Sequence, residues 1–152
     1  MIYLEIDRPF SHNVDQDLLK QAAAKALKHV GIPPQSNLTL VITGDEHLRK
    51  LNRQFLDIDA ATDVLSFPGG DTDPDTGEAY LGDILISYHR AAAQAEASNH
   101  PIETELQLLV VHGVLHLAGH DHSEPVEKQR MWRAQAEILN SLGISIDPST
   151  YE

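Results

Sequence analysis

The order in which strand and helix periodicities follow one another along the chain restricts its fold more than any other feature. Residues 2–6 alternate apolar and polar as a short strand. From Val14 to Val30, the residues Val14, Leu18, Leu19, Ala22, Ala26 and Val30 fall on one helical face, and Gly31 with Pro33 stops the pattern. Leu38 to Ile42 is an apolar run suited to a buried strand. Thr43 with Glu46 matches a capping box opening a helix that carries Leu48, Leu51 and Phe55. Val64 to Phe67 and Tyr80 to Ser87 read as two further strands, able to form a hairpin, across a Gly/Asp/Pro-rich loop from Gly69 to Glu78. Ser87 can cap a helix through Ala97, and Pro101 suits the first turn of a helix running to about Leu117. A last helix spans about Glu124 to Leu142. The expected order is therefore β-α-β-α-β-β-α-α-α, with no internal repeat, no interior linker, and a loose tail from Asp147 to Glu152.

A chain of 152 residues with 41% hydrophobic content is the size of one domain around one core. No stretch approaches a membrane span, and the opening Met-Ile-Tyr-Leu-Glu-Ile-Asp lacks the basic residues and apolar run of a secretory signal, so a cytoplasmic protein with no membrane partner is expected. The formal charge of -12 is opposite to the global balance that favours nucleic acid. Local patches remain available in Arg49, Lys50 and Arg53, or in Lys128, Arg130 and Arg133, although each group also fits a solvated helix face. With no cysteine, any transition-metal site has to come from histidine and carboxylate, and there are nine histidines.

Three of those histidines form a pattern. Val111 to His122 reads Val-His-Gly-Val-Leu-His-Leu-Ala-Gly-His-Asp-His at the end of an apolar helical run. His112 and His116, four residues apart, share one helix face and can converge on one ion. Gly119 can take the left-handed conformation that ends a helix, which lets His122 swing back as third ligand. His120 is the rival, but on a continued helix it would lie about 12 Å along the axis from His112, too far for two metal bonds of about 2 Å. The alternative for such residues is satisfied surface histidine, the reading given to His12, His29, His47, His89 and His100.

The spacing His-x3-His-x2-Gly-x2-His is that of the metzincin metalloproteases. Their general base, a glutamate beside the first histidine, is replaced by Gly113, so a peptidase is disfavoured. A mid-helix glycine costs about 1 kcal/mol relative to alanine, and Gly113 needs a reason such as close packing or substrate approach. Three neutral imidazoles leave the fourth tetrahedral position of zinc open, as in catalytic sites, where water can have its pKa lowered to about 7. A structural site with a fourth protein ligand is the alternative.

The segment 112–122 resembles the motif of the YbeY endoribonucleases, also called rRNA maturation factors. Further similarity lies in Leu51-Asn52, in Asp59 and Thr62-Asp63-Val64-Leu65-Ser66-Phe67-Pro68, in Leu81-Gly82-Asp83-Ile84, in Glu105 and in Met131. The resemblance implies a single α+β domain, a small mixed four-stranded sheet packed with about five helices. It also implies one zinc per chain on His112, His116 and His122, and cleavage of single-stranded RNA in ribosomal RNA maturation and ribosome quality control. Ribosomal RNA or the ribosome would be the partner. Two positions depart from the family pattern: His120 replaces a common tyrosine, and Leu56 replaces an arginine. Arginine suits phosphate and leucine does not, so Arg53, three residues earlier on the same expected helix face, is the candidate replacement.

Asp63 and Ser66 are candidates for a substrate-facing role, against plain turn and capping chemistry. Asp121 could hold its loop or act as general base. Glu105, two helical turns before His112, fits a structural or ligand-orienting contact better than chemistry. The acidic loop from Asp71 to Gly77 lacks the glycine and glutamate spacing of a calcium loop and reads as a solvated hairpin loop. Two further readings stand beside the nuclease: a ribosome assembly or binding factor with a mainly structural zinc, favoured by Leu56, and a zinc hydrolase of a non-RNA substrate, favoured by the acidic balance.

Overall fold

The computed structural model describes residues 1–33, 35–70, 72–120 and 124–145. The described residues contain four strands and five helices: β1 (Ile2–Ile6), α1 (Gln16–His29), β2 (Asn37–Thr43), α2 (Asp45–Leu56), β3 (Val64–Pro68), β4 (Tyr80–Ser87), α3 (Tyr88–Ser98), α4 (Ile102–Leu117) and α5 (Pro125–Ser141). The order is the one the periodicities predict, with an added 3-10 turn at Arg8–Phe10. The tail from Asp147 to Glu152 lies outside the described residues, as does Asp71 of the acidic loop.

The sheet runs β1-β2-β4-β3. β1, β2 and β4 are parallel, and β3 closes the sheet as an antiparallel edge, with Val64 opposite Ile86 and Pro68 opposite Gly82. The hairpin is thus formed and the sheet is mixed, an α+β arrangement in one domain. Side-chain alternation divides the sheet into two faces. Leu38, Leu40, Ile42, Ile84 and Ile86 point into the main core with α1, α4 and α5. Leu65 and Leu85 point the other way and pack with Leu48 of α2. α2 and α4 therefore lie on opposite faces of the sheet.

Two helix starts show how local signals fare. Ser87 caps α3 as expected, its hydroxyl accepting from the Arg90 N–H at 3.2 Å. The capping box expected at Thr43 and Glu46 is absent. Gly44 is the N-cap of α2 and makes no side-chain cap bond. The Thr43 hydroxyl is drawn instead into tertiary bonds, donating to Asp7 at 2.5 Å and lying 3.1 Å from His47 Nδ1. A bond that ties β1 to the end of β2 has displaced a local cap.

Candidate metal centre and groove

α4 is apolar nearly all round, because it lies between the sheet and α5, and it carries the histidines on its last two turns. Its path across the sheet is set at Gly113. A Cβ there would stand 2.7 Å from Ile84 Cγ2 and 3.0 Å from Ile84 Cδ1, closer than packed carbons approach. Close packing is thus the reason for the glycine. α4 ends as the sequence predicts: Gly119 adopts φ +98°, the Gly119 N–H donates to His116 O at 3.0 Å, and the His120 N–H donates to Leu115 O at 2.9 Å. This is a Schellman closure, which satisfies the last carbonyls while turning the chain.

His112 and His116 are half-buried, with their Nε2 atoms 3.1 Å apart and their rings edge to face at 70°. Two imidazole nitrogens each about 2.05 Å from one ion, at an angle of about 100°, would be separated by that distance. The pair is thus a fitting half of a zinc site, since neutral imidazole nitrogen is a donor zinc accepts readily. His122 and Asp121 lie outside the described residues, and among those described no third carboxylate or histidine joins the pair. His120 faces a different depression, with Glu127 and Arg130.

The pair opens on a groove of about 400 Å³ lined by Leu56 of α2, by Asp63 to Ser66, by Pro68, and by His112, His116 and Leu117 of α4. α2 and α4 cover opposite faces of the sheet, so a cavity touching both follows the outer edge of β3. Ser66 fronts α4 and its hydroxyl donates to the Gly113 carbonyl at 3.3 Å. Asp63 is held by Gln94 Nε2 at 3.1 Å and by Thr62 at 3.4 Å, and its backbone carbonyl accepts from Ser87 N–H at 2.9 Å. Both candidate residues line the groove and both carry structural bonds.

Arg53 is elsewhere. It lines a cleft of about 500 Å³ with Glu46, His47, Arg49, Lys50 and Asp59, while the groove position is taken by Leu56, a 55% exposed leucine. Within the cleft Arg49 grips Asp59 through Nε at 2.8 Å and Nη2 at 3.3 Å. That hydrogen bond, followed by the charge attraction, holds the Asp59 carboxyl below its ordinary value and the Arg49 guanidinium above its own.

Two residues escaped the sequence reading. His100 is no surface histidine: its side chain is 15% exposed, with Nε2 2.7 Å from the wholly buried Glu105 carboxylate. Glu105 thus ties the start of α4 to His100. Gln135 of α5, 1% exposed, places Oε1 3.1 Å from His112 Nδ1. Its signal was available as a polar residue inside the apolar stripe of Met131, Ala134, Ile138 and Leu139.

The comparisons with known proteins bear on this site. The model of the family described as Endoribonuclease YbeY matches residues 5–143. The chain belongs to that family. A protein named Endoribonuclease YbeY from Chloroflexus aurantiacus is 42% identical over 152 residues, covering 95% of this chain and 98% of the relative. One of the same name from Roseiflexus sp. is 39% identical, over 93% and 92% of the two chains. A solution structure from Thermotoga maritima superposes with a TM-score of 0.58 over 94% of this chain and 92% of its own, at 24% identity, and shares the fold. The YbeY match spans both the β3 segment and the histidine segment, the two walls of the groove. No helix among the described residues is long and apolar enough to cross a membrane.

Proposed function

We propose that this YbeY-family chain is a zinc-dependent endoribonuclease of single-stranded RNA, working in the cytoplasm on ribosomal RNA maturation and ribosome quality control. The observation that carries the proposal is the His112–His116 pair, two imidazole nitrogens 3.1 Å apart at the rim of a groove along the β3 edge. His112, His116 and His122 would hold the metal. When bound, zinc supplies Lewis-acid charge against a phosphate oxygen or a water molecule. The chain's own residues do the rest. Gly113 seats α4 against Ile84, Ser66 ties the β3 edge to α4, and Lys50 and Arg53 offer cations for the RNA backbone. Asp63, half-buried in the groove, and Asp121 are the candidates for accepting a proton. The relatives' printed endoribonuclease name supports the reaction class.

The test is cleavage of single-stranded and duplex RNA by metal-analysed protein with and without a chelator. Cutting of single strands that stops on chelation and returns with zinc is the expected result. A fully metallated protein that cuts neither RNA would sink the nuclease. Leu56 favours a second reading, an assembly or binding factor whose zinc is mainly structural, because the groove offers no lysine or arginine among its described lining. Under that reading the metallated protein binds ribosomal particles and leaves RNA intact.

A further inference from the structure

We infer that Gln135 is a positioning residue for the histidine pair, its side-chain carbonyl holding His112 in the tautomer that presents the Nε2 lone pair to His116 and the groove. The inference rests on the metal reading above.

α5 turns Met131, Ala134, Gln135, Ile138 and Leu139 into the interior. An amide at such a position is destabilising if its hydrogen bonds are not replaced, whereas methionine would fill the space without that penalty. Among the described residues Gln135 bonds with His112, 23 positions earlier, its Oε1 lying 3.1 Å from Nδ1. An amide oxygen can only accept, so Nδ1 carries the hydrogen. In a neutral ring the lone pair then belongs to Nε2, the atom that lies 3.1 Å from His116 Nε2. Ring orientation is constrained as well, since one edge of His112 is fixed to α5 while the other meets His116. Metal-bound imidazoles commonly have their second nitrogen anchored in this way. The use of glutamine rather than glutamate supplies the acceptor without placing a further charge in the core.

The test combines nitrogen-15 NMR of the His112 ring in metal-free protein, at about pH 8 where histidine is neutral, with zinc affinity from chelator competition. Wild type should show hydrogen on Nδ1. Gln135→Met should lose that preference and weaken zinc binding about 10–100-fold, while Gln135→Glu, which restores an acceptor, should recover the tautomer and affinity to within about threefold. A role in packing alone predicts that methionine preserves both. Hydrogen on Nε2 in wild type, or unchanged zinc affinity in a folded Gln135→Met, would overturn the inference. If Gln135→Met does not fold, the wild-type tautomer and the Gln135→Glu affinity decide. Wild type with hydrogen on Nδ1 that nonetheless binds no zinc would remove the metal reading and leave the positioning of His112 standing.

Discussion

The histidine groove and the α2 cleft, about 400 and 500 Å³, each take a residue from the last turns of α2, yet their chemistry is opposite. The groove gathers two imidazoles, a carboxylate and a serine hydroxyl around an edge strand and has no lysine or arginine among its described lining. The cleft gathers Arg49, Lys50 and Arg53, and of these Arg49 is tied to Asp59. A single turn of helix separates Arg53 from Leu56, and that turn decides which depression receives the positive charge. In a chain of net charge -12, attraction for a polyanion has to be local, so under the proposed function the groove would break the bond and the cleft would hold the RNA backbone.

The most severe way to break this division is at the groove. His116→Ala should lower RNA cleavage more than about 100-fold, beyond the loss typical of a residue that only supports a metal ligand. Metal content by atomic spectroscopy should fall with it, while RNA binding through the cleft persists. Wild-type cleavage by His116→Ala would dissolve the assignment. Moving charge into the groove sharpens the comparison. Leu56→Arg should strengthen RNA binding about tenfold, the worth of one charge-assisted hydrogen bond to phosphate, with a steeper dependence on salt. A weaker effect is expected of Arg53→Ala: about a threefold rise in KM with kcat retained, and a salt slope shallower by about 0.7, the mark of one lost contact to single-stranded phosphate. Cleavage kinetics unchanged by Arg53→Ala would show that the cleft does not hold substrate.

The smallest effect belongs to Asp59. Its folded-state carboxyl titrates below the unfolded value of about 3.9, so the stabilisation it supplies is present above that value and fades as pH falls through the folded one. Asp59→Asn should therefore melt slightly below wild type at neutral pH and match it in strong acid. Molar salt should narrow the gap as well, because the pair with Arg49 is exposed. An undiminished gap in acid would mean that Asp59 acts through something other than its charge.

How much of this could be read from the residues follows from the range over which each signal acts. The element order was legible because spacing alone carries it. So was the reversal at Gly119, where a glycine past the last apolar turn leaves few alternatives, and so was the shared face of His112 and His116. Thr43 was misread because Asp7, distant in sequence, competes for its hydroxyl. His100 looked like a surface residue because nothing local reveals that Glu105 is sealed beneath it. The groove was legible only as two motifs, since the opposite faces taken by α2 and α4 emerge from the packing of the whole sheet. Arg53 was a fair substitute for the missing arginine on a helical wheel, but three residues of helix carried it into the neighbouring cleft.

The contact between Gly113 and Ile84 gives the histidine pair a mechanical datum. The hydrogen of a glycine and the branch of an isoleucine in the central part of β4 together gauge how deeply α4 lies, and the two histidines ride on the same helix one residue before and three residues after that point. Their height above the groove floor is therefore a dimension of the core. A lineage could retune this centre without touching a histidine, simply by trading volume between positions 84 and 113.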